Sequence, residues 1–240
     1  MTSSFAAFAL IFFLATTTQT IVGFGCVVIA LALGAQLFPV HALLAWLVPV
    51  TLGLSGYIVL RYHRQIDWSL LLRMILPPML VGLALGQLLF YTLHAGWLRP
   101  LLGTLVIVLA AEALLVGRRR SSRGSEHITP WTFAAGVAHG LFAAGGPLLV
   151  YGVSRRPLDK GSFRSTLAAV WLTLGTILTI SYVIGGTLKS RQLPELFVLL
   201  AILPVGIGAG EWLHRRVDED MFRRLLYLVL LLAGIGLILR

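Results

Sequence analysis

Charge is what this chain has least of. Only 12% of its 240 residues are charged, where a soluble domain carries about 25%. Acidic residues are the scarcer sign, 9 Asp and Glu against 19 Lys and Arg. With 58% hydrophobic residues and a mean hydropathy of +0.92, this excludes an ordinary globular domain and predicts an all-α polytopic membrane protein, with the lipid bilayer as its surroundings. Cysteine is limited to Cys26, inside an apolar run, which excludes a disulfide framework and a thiolate metal site. The six histidines (His41, His63, His94, His127, His139, His214) show no metal-ligand spacing, so neither a metal nor a cofactor is expected. No carboxylate lies at the centre of an apolar run. Glu112, Glu195 and Glu211 sit near run ends, so the sequence offers no obvious acidic carrier for a coupling cation. The net charge of +10 does not point to nucleic acid, because the basic residues cluster between apolar runs, as in cytoplasmic loops. Met1 to Phe5 lacks a basic n-region and reads as the start of a first membrane segment, not a cleaved signal.

What is present is a series of apolar runs. A hydrocarbon core about 30 Å thick takes about 20 residues of helix. On that ruler the chain has eight segments, near 5–38, 41–60, 69–92, 97–117, 130–153, 165–188, 193–213 and 222–239. The hydrophilic stretch 118–129 reads as a basic cytoplasmic linker between two repeat halves, 1–117 and 130–240, each of four segments. The halves are weakly alike. Gly82, Gly86, Arg99, Leu101 and Leu102 recur 124 positions later as Gly206, Gly210, Arg223, Leu225 and Leu226. Gly25 recurs 120 positions later as Gly145, and Gln19 as His139. If all eight segments cross fully, Lys and Arg divide ten to nine between the two faces, and no positive-inside bias remains. If the first segment of each half is re-entrant, the division becomes fifteen to four, and the second half is inverted relative to the first. A glycine-broken helix that still crosses is the other reading.

Glycine breaks the first segment at Gly23-Phe24-Gly25 and the fifth at Gly145-Gly146-Pro147. Lipid cannot satisfy the backbone groups freed by such a break, so it must lie in protein or line a polar cavity. Paired breaks in two halves point to a transporter's binding site. Half-helix N-termini and successive glycine N–H groups attract anions. The candidate substrate-binding residues are therefore Gln19, Gly23, Phe24, Gly25, His139, Gly145, Gly146 and Pro147, and the expected partner is a small anion. Close helix packing is the competing account of the glycines, and a core histidine bonded to a neighbouring helix that of His139. Arg155, Arg156, Lys160 and Arg164 follow the second break and read more as orientation signals than as an anion funnel. A rival of another class is an intramembrane serine protease, with Ser55 in Gly53-Leu54-Ser55-Gly56 as nucleophile and His139 as base. A four-residue pattern of small residues is cheap in a chain with 25 glycines. No catalytic residue is assigned, and the chain is not expected to be an enzyme.

These residues resemble the sulfite exporter TauE/SafE family of bacterial membrane permeases, over almost the whole chain. The resemblance rests on Gly23-Phe24-Gly25 and on Gly145-Gly146-Pro147 with Tyr151. Lys160, Phe163, Arg164, Thr166 and Leu167 follow, and Gly82-x-x-x-Gly86, Gly206-x-x-x-Gly210, Arg99 and Arg223 close the halves. It departs from the family after the first break, where Cys26-Val27-Val28-Ile29 stands in place of further glycines and a proline. The resemblance implies a multi-pass protein of the bacterial inner membrane that transports sulfite, thiosulfate or an organosulfonate. Together with the breaks it predicts alternating access around an anion near the midplane. A channel-like anion pore is the alternative within transport, and a homo-oligomer is left open.

Overall fold

A computed structural model of the chain describes residues 3–22, 25–116, 128–153, 158–214 and 219–239. Among these residues the regular structure is all helical, without a strand. In order the helices are α1 (Ser3–Val22), α2 (Cys26–Gly34), α3 (Val40–Tyr62), α4 (Trp68–Leu70), α5 (Leu76–Thr92) and α6 (Ala95–Val116). Then come α7 (Thr129–Phe142), α8 (Gly146–Val153), α9 (Lys160–Ile184), α10 (Leu193–His214) and α11 (Glu219–Ile238). A π-helical turn, Leu71–Ile75, joins α4 to α5. Pro77 and Pro78 come next and have no N–H for the carbonyls of Arg73 and Met74, which is where the helix widens. Among the described residues five stretches are long and apolar enough to cross a membrane: Ser3–Thr20, Val40–Gln65, Trp68–Thr92, Gly161–Ile184 and Ser190–Leu213. Both apolar runs with glycine clusters are interrupted, one between α1 and α2, the other between α7 and α8. Arg118 to Arg123, most of the expected linker, lie outside the described residues.

The chain forms two compact units, each drawing helices from both sequence halves. The first comprises α1, α2, α6, α10 and α11; the second comprises α3 from Ala45 onward, α4, α5, α7, α8 and α9. In lipid the helices gain little by hiding apolar surface, so close backbone approach at small residues must hold them together. In the first unit α10 lies against α1 at Gly206 and Gly210. A methyl group on Gly210 would stand 2.7 Å from the Thr17 carbonyl oxygen, and one on Gly206 would stand 2.9 Å from Thr16 Cβ. The threonines along this contact return their hydroxyls to the preceding turn, Thr16 to the Phe12 carbonyl (2.9 Å) and Thr17 to that of Phe13 (2.9 Å), so neither hydroxyl is left unsatisfied. α6 and α11 cross at Gly103 and Gly234. Arg99, near the start of α6, donates from Nη2 to the Ala35 carbonyl (2.6 Å), setting a cation at the C-terminus of α2.

In the second unit α5 crosses α7 glycine on glycine. A methyl group on Gly82 would stand 2.3 Å from the Phe133 carbonyl oxygen, and one on Gly86 would stand 2.4 Å from that of Val137. Gln87, one residue on, ties three helices. Its Nε2 donates to the Gly140 carbonyl (2.6 Å) and its Oε1 accepts from the Ser181 hydroxyl (2.7 Å).

α9 opens on a side-chain cap. Asp159 Oδ1 accepts from the N–H groups of Gly161 (2.8 Å) and Ser162 (3.0 Å), and Oδ2 accepts from the Ser162 hydroxyl (2.6 Å). The Ser162 hydroxyl, and then the backbone donors, hold this carboxyl below its ordinary value. A carboxyl depressed in the folded state contributes stability that is full above the ordinary aspartate range and fades as pH falls through the lower, folded value. Asp159→Ala is therefore expected to lower the melting temperature at pH 7 and to change it little at a pH below that window. Thermal scans of both proteins across pH check this, and an equal shift at both ends would rule the carboxylate out of the cap.

Candidate functional site

The first break follows α1. Gly23 and Phe24 lie outside the described residues. Gly25 has φ 104, a left-handed backbone that glycine adopts without strain, and it stands at the N-cap of α2. Gln19, one turn earlier on α1, uses its Oε1 to accept from the Cys26 N–H (2.9 Å). The sequence suggests Gln19 as a donor to an anion; here its carbonyl end caps α2, and its NH2 is the end left to donate. Helix geometry leaves the N–H groups of Val27 and Val28 without an acceptor inside α2.

The second break is more fully specified. α7 ends as Ala143 turns left-handed at φ 51. The Ala143 N–H then donates to the His139 carbonyl (2.7 Å) and the Ala144 N–H to that of Ala138 (3.4 Å), a paired closure of the helix end. With Gln87 on the Gly140 carbonyl, much of the acceptor-rich end of α7 is satisfied from within. The donor-rich end of α8 is not. The Leu149 N–H closes on the Gly145 carbonyl (3.0 Å), which leaves the N–H groups of Gly146 and Leu148 without helical partners. Pro147 has no N–H to offer and helps start α8 by its fixed φ.

Gly145 must be glycine for a packing reason, since a methyl group there would stand 2.3 Å from the Ala135 carbonyl oxygen and 3.0 Å from His139 Cβ. That contact sets the His139 side chain beside the start of α8. The ring is only 5% exposed, and neither Nδ1 nor Nε2 has a hydrogen-bond partner. It stacks on the Trp171 indole of α9, centroids 5.2 Å apart at 26°. The same indole lies 3.8 Å from the position of a methyl group on Gly146. His139, Gly145, Gly146 and Trp171 thus converge, and the unsatisfied groups among them are donors at the positive end of a helix, with a ring whose two nitrogens can donate or accept. Trp171 and Gln87 were not singled out by sequence, since a tryptophan or glutamine inside an apolar helix carries no spacing signal. Arg155 and Arg156 lie outside the described residues, and Arg164 is exposed.

The sequence model of the family described as Sulfite exporter TauE/SafE matches residues 8–237. The chain belongs to this family. This TauE/SafE member is 26% identical over 180 residues to the probable inner membrane transporter protein TsaS of Comamonas testosteroni, covering 72% of this chain and 73% of that protein. It is 25% identical over 232 residues to the probable sulfite/organosulfonate exporter TauE of Cupriavidus necator, covering 93% and 90%. No solved structure matches the chain. As a TauE/SafE member it is a multi-pass transporter of the inner membrane and not an enzyme. Ser55 and His139, the pair named by the protease reading, are not hydrogen-bonded to each other in this structure.

Proposed function

We propose that this TauE/SafE member carries a small sulfur oxyanion, either sulfite, thiosulfate or an organosulfonate, by alternating access, and that the anion binds at the glycine breaks near the midplane. The observation that carries the reading is the buried, unpartnered His139 ring beside the open N-terminus of α8. The family's description and the name of its Cupriavidus necator relative supply the sulfur chemistry, and donors without a neighbouring carboxylate suit an anion of that kind. Gln19, Gly23, Phe24 and Gly25 would serve the first break, and His139, Gly145, Gly146 and Pro147 the second.

The eight segments would form two inverted repeats, 1–117 and 130–240. The packing within each unit supports duplication. Gly82 and Gly86 meet the carbonyls of Phe133 and Val137, and 124 positions later Gly206 and Gly210 meet those of Phe13 and Thr17, 120 positions before the first pair. Helices from the two halves therefore pair in the same register twice, as expected if the halves exchange partners about a pseudo-twofold axis.

The test is exchange in proteoliposomes loaded with sulfite, thiosulfate, methanesulfonate or acetate and challenged with labelled anion. A carrier gives saturable uptake, faster when the vesicles contain a transported anion. Unsaturable flux would favour a pore, and indifference to every anion would overturn the reading.

A further inference from the structure

We propose that His139 takes up a proton with each anion, so that sulfonate and proton cross together; this rests on the anion site proposed above. The argument is an inventory of donors and acceptors. A neutral imidazole has one nitrogen that donates and one that accepts. A fully ionised sulfonate has only acceptors, so its oxygens satisfy both His139 nitrogens only if both carry hydrogen. Both nitrogens are buried and unpartnered without it. A buried polar group is expensive to leave unpaired, so a ligand that satisfies both ends of the ring is favoured over one that satisfies one.

The surroundings say where the charge brought by the second proton finds its partner. α5, α7, α8 and α9 contain no Asp or Glu. The charged groups on the elements that pack around the ring are Arg73 on the π-helical turn, Lys160 and Arg164 at the start of α9, and its cap Asp159; α3 and the turns that follow it, which meet α9 at Leu172, Gly175 and Thr166, add Arg61, His63, Arg64 and Asp67, whose Oδ1 is taken up by the Leu70 N–H (2.9 Å). Those on α9 stand seven or more positions before Trp171. The tyrosines are Tyr57, Tyr62, Tyr91, Tyr151 and Tyr182. No carboxylate on these helices pairs with a doubly protonated ring, so the bound anion is that partner. The loaded site then holds one more proton than the empty one, and a monovalent sulfonate with its proton crosses without net charge. By linkage, protons favour sulfonate binding as much as sulfonate favours protonation.

Methanesulfonate tests this, because it does not titrate near neutral pH and any proton that moves with it belongs to the protein. The full chain is reconstituted in vesicles holding a trapped pH dye, with labelled methanesulfonate outside and the membrane potential clamped. Inward flux is expected to acidify the lumen by about one proton per sulfonate, the difference between an imidazole and an imidazolium. It is also expected to be indifferent to the clamp voltage. H139Q keeps a donor end and an acceptor end but cannot take up a proton; its flux should fall, and its proton-to-sulfonate ratio should drop toward zero. Sulfonate entry by wild-type protein without acidification overturns the proposal, as does an unchanged ratio in H139Q. The wild-type ratio decides alone if the variant does not reconstitute. Wild-type protein that moves no anion at all is a different result, and it overturns the anion site itself.

Discussion

Gly86→Ala is expected to destabilise the protein, while Gly208→Ala, the same chemical change on another apolar helix, is expected to stabilise it. At Gly86 the added methyl group would stand 2.4 Å from the Val137 carbonyl oxygen and 2.9 Å from Gly140 Cα. Both are backbone atoms of α7, so no side chain can swing aside, and the helices must separate along a contact that Gly82, Gly136 and Gly140 also need close. Overpacking of this kind costs about 3 kcal/mol, at the upper end of the usual range. Alanine's better helix propensity offsets about 1 kcal/mol. The clash wins, leaving a net loss of about 2 kcal/mol and a fall of roughly 5 °C in melting temperature. At Gly208 nothing lies within 4 Å of the added methyl group, so only the propensity gain of up to about 1 kcal/mol remains. Thermal unfolding of the purified variants in one detergent checks both signs. Equal shifts for the two would mean that the α5–α7 crossing is not held by glycine contact. Gly86→Val should fail to give a monodisperse protein.

The helices and their breaks were legible in the sequence because each rests on local chemistry. Runs of about 20 apolar residues mark spans, and Gly25 and Gly145 mark the interruptions. What the local signal could not carry was the pairing. Gly82 and Gly86 announce a close contact, but a small-residue stripe does not name its partner, and here the partner is α7 from the other half of the sequence. Gln19 shows the same limit at one side chain. An amide beside a helix break can donate to a ligand or accept from the helix, and only the fold reveals that its Oε1 has closed on the Cys26 N–H. Arg99 is similar, since a cation opening α6 reads as a loop charge until its guanidinium is found on the Ala35 carbonyl. His139 stood out for being ionisable in an apolar run. Its stack on Trp171 depends on a residue 32 positions away, on a helix with no polar pattern to single that residue out.

Gly25 and Gly145 should each be needed for anion flux, for different physical reasons, and the difference is the test. At Gly25 there is room, since a methyl group would lie 3.8 Å from Ile29 Cδ1, but φ is 104. An L-residue held left-handed costs about 1–2 kcal/mol, more when β-branched, while asparagine tolerates the region. A strain of about 1.4 kcal/mol is tenfold in the population of the native turn. Gly25→Val is therefore expected to cut flux tenfold or more, and Gly25→Asn considerably less. At Gly145 the conformation is ordinary and space is lacking, because a methyl group would press on the Ala135 carbonyl oxygen at 2.3 Å. There even Gly145→Ala should force the start of α8 away from α7 and His139, and Gly145→Asn should be worse, since the larger residue adds bulk where none fits. The two positions thus rank asparagine oppositely: the mildest replacement at Gly25, a severe one at Gly145. Initial rates of anion exchange, normalised to folded protein recovered in the vesicles, give both orders. Asparagine as harmful as valine at Gly25 would mean that the left-handed turn is not what the first break requires. Wild-type rates for Gly25→Val and Gly145→Ala together would remove the glycine breaks from the transport site.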